Sequence, residues 1–264
     1  MRYGRVSRVI GTLLLLSWSL AATCQYLYHE PGSGGSSYST QNAPLPVEEV
    51  ARRLQEKNAQ RAAELVEFSG RRVYRMQYRG FPSDRYAEMV VDVTFHAPNS
   101  KEFRVVSQSG SKFLVDHIFN RLLESEQEFF NEENVQHTAL TTANYDFTFA
   151  GYEATPNGAE YVLNLLPKTR NKFLYRGKIW VDAKDFAVVR IEGEPAKNPS
   201  MWIKNTQMDH RYVKVNDFWL PAENHTESAI RLGGRAILSI EYKDYKITKV
   251  AALHGSNIAP KDSK

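Results

Sequence analysis

Tyr145-Asp146-Phe147-Thr148-Phe149 alternates aromatic and polar residues, and the same rhythm returns between compact turns as far as Thr248. Those turns are Thr155-Pro156-Asn157-Gly158, Asp182-Ala183-Lys184-Asp185, Asn216-Asp217 and Gly233-Gly234. A period of two marks strands with one buried face, and turn residues of this kind close antiparallel hairpins. Tyr161, Leu163 and Leu165 share a face, as do Tyr175, Ile179 and Val181. Val189 and Ile191 oppose Arg190 and Glu192, while Met208 and Tyr212 oppose Asp209 and Arg211. Phe218 to Ile230 reads as a further strand, and the last carries Leu238, Ile240 and Tyr242. A meander with so few interruptions must curl into a barrel or half-barrel, or stack as a sandwich.

Upstream, three more strands are expected at Arg72–Arg79, Ala87–Phe95 and Glu102–Ser107, which makes about ten in all. Tyr74, Met76 and Tyr78 share one side of the first; Met89, Val91, Val93 and Phe95 share one side of the second; Phe103 and Val105 pair on the third. Two segments switch to helical spacing. Pro46 to Glu67 places Val47, Val50, Ala51, Leu54, Ala62 and Leu65 on one stripe, with Pro46 opening the helix and Gly70 closing the segment. Phe113 to Phe130 does the same with Leu114, Val115, Ile118, Phe119, Leu122 and Leu123. Acids dominate the polar face of this second helix, which suits packing over the sheet better than lying on a membrane. The expected fold is therefore mainly β: about ten antiparallel strands with covering helices, curled into a barrel or half-barrel or stacked as a sandwich.

The front of the chain reads as an export signal. Arg2, Arg5 and Arg8 precede an apolar run from Val9 to Ala22, shorter than the roughly 20 residues of a membrane-spanning helix. Residues 1–24 are assigned to the signal peptide, 25–46 to a flexible linker rich in Gly, Ser, Pro and Asn, 47–251 to the globular domain and 252–264 to a tail. Cys24 is the sole cysteine, so an internal disulfide is excluded. Leu20-Ala21-Ala22-Thr23-Cys24 resembles a bacterial lipobox, although Thr23 stands where Gly, Ala or Ser is preferred. Cys24 is thus either a lipidation site or a residue lost with, or idle beside, the signal. The three arginines of residues 1–24 account for three units of the formal net charge of +4, so the mature chain is close to neutral and lacks the footprint of a nucleic-acid binder.

Catalytic chemistry has no handle in the sequence. His29, His96, His117, His137, His210, His225 and His254 form no metal-binding pair. No Gly-x-Ser-x-Gly elbow occurs. Asp209 and His210 are strand neighbours and point to opposite faces, and His210 reads as a surface histidine. Asn224-His225-Thr226 fits the glycosylation pattern, and Trp180, Trp202 and Trp219 read as half-buried sheet residues. No metal, cofactor or enzymatic activity is expected.

Gly177-Lys178-Ile179-Trp180-Val181-Asp182, a turn, and Phe186-Ala187-Val188-Val189-Arg190-Ile191-Glu192 resemble the recurrent hairpin of the LolA/LolB lipoprotein-carrier superfamily. Tyr212-Val213-Lys214-Val215-Asn216-Asp217-Phe218-Trp219-Leu220-Pro221 is similar to its next hairpin. The resemblance covers roughly Glu48 to Thr248 and is nearest to the LolA-like outer-membrane lipoprotein-sorting proteins. It implies a curved antiparallel half-barrel with covering helices, serving as a monomeric periplasmic carrier of a lipid or an acylated lipoprotein, in contact with envelope membrane proteins. A ligand-sensing module like the RseB envelope-stress regulators is the alternative. Alternation nominates Met89, Val91, Phe103, Phe147, Leu163, Ile179, Val189, Tyr212, Leu238 and Ile240 as the apolar lining of the concave face. The superfamily places covering helices after the third strand, which assigns Leu114, Ile118, Phe119 and Leu122 to a lid.

Overall fold

The computed structural model describes residues 44–98, 100–129, 137–198, 201, 203–231 and 233–250. The stretches read as signal peptide and tail, nearly all of the expected linker, Cys24, Phe130 and Trp202 lie outside the described residues. Helix α1 (Val47–Glu64) leads directly into β1 (Leu65–Arg79), β2 (Arg85–His96) and β3 (Ser100–Gly110). A helical segment comes next: α2 (Lys112–Leu114), a π-helical turn (Val115–Phe119) and α3 (Asn120–Phe129). The chain continues with β4 (Tyr145–Thr155), β5 (Gly158–Pro167), β6 (Tyr175–Asp182), β7 (Val188–Pro195), β8 (Ile203–Val215), β9 (Phe218–Ile230) and β10 (Arg235–Val250).

All ten strands form one antiparallel sheet in the order β3-β2-β1-β10-β9-β8-β7-β6-β5-β4. The last strand returns to the first, so Tyr74 pairs with Ile240 and Arg79 with Arg235. This closure leaves β3 and β4 as the two free edges, and the helical segment joins one edge to the other. Both edges are blunted by an extra residue, Val106 in β3 and Ala150 in β4. Such bulges hinder pairing with a stray strand. Of the arrangements the alternation allows, the sheet takes the open, curled half-barrel.

The junction of α1 and β1 departs furthest from the sequence reading. Helix α1 ends at Glu64, three residues early, because Leu65 to Ser69 is drawn into β1 beside β10. Gly70 does not terminate a segment but lies inside β1, where a β-carbon would come 3.0 Å from the ring of Tyr245. Its hydrogen side chain lets that aromatic ring lie against the strand.

The outward face is a charged ladder: Arg71 pairs with Asp92 at 2.7 Å, Arg75 with Glu88 at 2.8 Å, and Arg190 with Asp209 at 2.9 Å. The inward face carries two apolar clusters. One joins β1, β2 and β10 to the helical segment through Tyr74, Met89, Leu238, Ile118 and Phe119. The other joins β4–β7 to α1 through Leu163, Ile179, Ile191, Val50 and Leu54.

Candidate ligand-binding concavity

Register defines the inward face as one continuous row. Met89 lies beside Tyr74, Tyr74 beside Ile240, Ile240 beside Asn224, and Asn224 beside His210. The row continues through Ile191 and Ile179 to Leu163. It is apolar at both flanks and polar at its centre, on β8 and β9. Thr206, His210, Asn224, Thr226 and Ser228 are all buried there. The Thr206 and Ser228 hydroxyls share a hydrogen bond of 2.9 Å, and Asn224 Nδ2 donates to Tyr242 Oη at 2.8 Å. Asn224 is therefore an interior residue, and its sequon cannot serve as a surface acceptor.

The residues nominated from alternation fall into two groups. Met89, Val91, Leu238 and Ile240, with Phe103 at the margin, join the first cluster beneath the helical segment. Leu163 and Ile179, with Phe147 and Tyr212 at the margin, join the second beneath α1. Val189 belongs to neither. Trp180 pairs with Arg190 but Val181 pairs with Val188, so Val189 is a bulge residue and Val188 takes the inward position. One extra residue in a strand reverses the faces on one side of it. Simple alternation cannot anticipate that.

The four lid residues, Leu114, Ile118, Phe119 and Leu122, are all buried in the first cluster, so the segment packs on the sheet. Its far turn is held by charge. Glu126 lies 3.0 Å from Arg72 Nη1 on β1 and 2.8 Å from Lys101 Nζ on β3, with every side chain nearly inaccessible. Arg72 Nη1 also lies 3.3 Å from Tyr74 Oη, and its guanidinium rests over the Tyr242 ring. Burial pulls the Lys101 ammonium down to about 8, against the pull of the Glu126 carboxylate. Burial also pushes the Tyr74 hydroxyl upward. None of these three charges is recognisable from sequence: isolated in a β pattern or on a polar helix face, they read as solvated.

A cleft of about 80 Å³ opens beside α1, lined by Leu65, Phe68, Phe95, Phe218 and Leu220 and flanked by Arg61 and Lys101. Arg61 is held by the backbone carbonyls of Asp185 and Phe186 and by the Asn58 amide oxygen. Such a wall can take an aliphatic chain with a polar end toward Arg61, whereas Lys101 is already enclosed with Glu126.

His210 corrects the sequence reading. It is not a surface histidine: it is 1% exposed, and among the described residues neither ring nitrogen has a hydrogen-bond partner. The Tyr175 ring stands edge-on to it at 6.2 Å. Burial drives its pKa from 6.5 to about 4, against the opposing pull of Asp209. Between those values the unfolded chain takes up a proton that the folded chain refuses, so stability falls as pH drops from 6.5 toward 4. The full loss is about 3 kcal/mol at roughly 1.4 kcal/mol per pH unit. Denaturant melts of wild type and His210→Phe across that window should differ in slope. Identical pH dependence would show that His210 is not the group refusing the proton.

Among the described residues, no group of three His, Cys, Asp or Glu converges to hold a metal, and no helix is long and apolar enough to cross a membrane.

The fold and its covered concavity define an open, curled antiparallel sheet with helices over its inner face. Neither a family model nor a curated protein matches the chain. Solved structures do. A Vibrio parahaemolyticus domain whose name assigns it to outer membrane lipoprotein sorting matches 76% of this chain and 93% of its own, at 11% identity and a TM-score of 0.38. A LolA superfamily protein from Nitrosomonas europaea covers 79% and 96%, at 11% identity and a TM-score of 0.33. MucB bound to MucA covers 75% and 94%, at 9% identity and a TM-score of 0.23. At these TM-scores the likeness is one of sheet architecture, and function has to be read from this chain's own residues.

Proposed function

We propose that this protein is an exported, LolA-like binding protein of the cell envelope that holds acyl chains of a lipid or acylated protein between its curled sheet and the covering helices. The observation behind this reading is the apolar cleft beside α1, walled by Leu65, Phe68, Phe95, Phe218 and Leu220, with Arg61 and Lys101 at its flanks. Each methylene buried there contributes about 0.8 kcal/mol. At about 80 Å³ the cleft is smaller than a long chain, so loading requires the helices to move off the sheet. The charged start, apolar run and Cys24 favour a periplasmic location, with Cys24 as a candidate tether. A monomer is proposed, with the envelope membranes and their lipoproteins as partners.

Native mass spectrometry of protein purified from its own envelope should reveal a co-purified lipid. A fluorescent fatty acid should bind the delipidated protein and be weakened by Phe68→Asp, which places a carboxylate on the cleft wall. Absence of both a co-purified lipid and fatty-acid binding would reject the acyl-binding reading and favour a module that recognises a protein partner.

A further inference from the structure

The strand register sorts the loops onto two rims with opposite character. Arg79 beside Arg235, Tyr78 beside Arg85, Ile203 beside Ile230, Tyr175 beside Pro195 and Tyr145 beside Pro167 mark one end of the sheet. The β1–β2, β5–β6, β7–β8 and β9–β10 loops all emerge there. Their described residues carry Lys168, Arg170, Lys172, Lys197 and Arg231 against a single acid, Asp84. The loops at the opposite rim, β2–β3, β4–β5, β6–β7 and β8–β9, carry Lys184 against Asp185 and Asp217.

Three of the basic residues converge. Arg170, Lys172 and Lys197 border one open cleft of about 490 Å³ together with Thr169, Asn171 and Asn198. Among the described residues none of the three has an acidic partner. The same rim carries the two most exposed large apolar side chains of the described residues, Phe81 at 85% and Met201 at 77%. Both sit on loops braced by hydrogen bonds. Tyr78 Oη donates to the Phe81 carbonyl at 2.8 Å, and the Gly80 amide donates to Asp84 Oδ1 at 3.0 Å. Asn198 Nδ2 donates to the Ile203 carbonyl at 3.4 Å and to the Lys204 carbonyl at 3.3 Å.

We infer that this rim docks on the surface of a bilayer containing anionic phospholipid. Separate loop tips carrying a bulky apolar side chain, with cations set between them, match the layering of such a surface. Phe81 and Met201 enter the headgroup boundary while Arg170, Lys172 and Lys197 remain at the level of the phosphates. The rim offers several projecting points instead of one groove, which suits a fluid, laterally adaptable surface better than a folded acidic partner. None of these residues lines the cleft beside α1, so docking by the rim is independent of acyl binding.

The test is co-sedimentation of the full chain with phosphatidylcholine vesicles, prepared with and without phosphatidylglycerol. The apolar N-terminal stretch is common to every variant, so the informative quantity is the gain caused by the anionic lipid. Wild type should gain affinity on phosphatidylglycerol, less so at high salt. Lys172→Gln combined with Lys197→Gln should weaken binding to the anionic vesicles about thirtyfold, at about fivefold per basic residue beside an anionic leaflet. Phe81→Ser combined with Met201→Ser should weaken binding too, whereas Lys184→Gln on the other rim should not. Thermal melts and fatty-acid binding should be unchanged in all of them, which separates failure here from failure of the acyl-binding reading. No gain from phosphatidylglycerol, or an undiminished gain in the Lys172/Lys197 double variant, would overturn the proposal.

Discussion

Glu126→Ala is expected to destabilise the protein by about 3–5 kcal/mol. The carboxylate is fully enclosed, and it faces two enclosed cations, Arg72 at 3.0 Å and Lys101 at 2.8 Å. Removing it keeps the cost of holding both cations away from water and deletes the attraction that offsets that cost. An exposed ion pair, by contrast, contributes about 0–1 kcal/mol, because water screens it and side-chain entropy opposes it. Chemical denaturation of the variant measures the loss, and a change below about 1 kcal/mol would show that Glu126 does not hold the segment down. Replacing all three charges together, with Arg72→Met, Lys101→Met and Glu126→Leu, should cost less than Glu126→Ala alone. That ordering would identify the trio as a device that orients the helix, since an apolar substitute gives equal cohesion without direction.

Phe119→Ala is expected to cost a further large amount, about 3–5 kcal/mol when tested alone. The ring is fully buried, lies 6.1 Å from the ring of Tyr74, and packs within the cluster that includes Met89, Leu238 and Ile240. A loosely seated lid over an open cavity would lose much less. A denaturation midpoint little changed from wild type would show that the segment rides above the sheet instead of completing its core. If binding of a fluorescent fatty acid strengthens as stability falls, the segment also gates entry, because loading then requires less work to lift it. The two variants act about two turns apart on one helical segment, and their effects should couple if that segment moves as a unit.

Much of this architecture is legible in the residues themselves. Period-two alternation at Tyr145–Phe149, Tyr161–Leu165 and Leu238–Tyr242 marks strands, because successive side chains on extended backbone must point to opposite sides. The turn residues at Asn157-Gly158, Asn216-Asp217 and Gly233-Gly234 mark hairpins, and the Asn216 φ of 54° and the Gly233 φ of 93° are the left-handed values such residues tolerate. The stripes Val50–Leu54 and Leu114–Leu122 mark helices with one face to bury. Each of these signals is local: it depends on a few neighbours and on backbone geometry common to every protein.

The candidate site is legible only in part, for the same reason. Every nominated lining residue except Val189 joins or borders an apolar cluster, and Tyr212 among them keeps its side although Ala222 is inserted opposite. Val189 departs because a bulge adds one residue to β7, a choice made by the pairing with β6 and invisible in β7 alone. His210 departs because its burial depends on what covers β8, not on the residues beside it.

Sequence alone therefore determined the succession of hairpins, the two amphipathic helices and most inward-facing positions, all consequences of short-range periodicity. Tertiary structure alone decided that β10 pairs with β1, that the inward face divides into two apolar clusters around a polar centre, and that Glu126 meets Arg72 and Lys101. It also gathered basic loops from distant hairpins onto one rim. These outcomes depend on contacts between residues far apart in the chain, 181 positions in the hydrogen bond from the Thr248 hydroxyl to the Glu67 carboxylate, and pairing at that distance is set by the curvature and closure of the whole sheet.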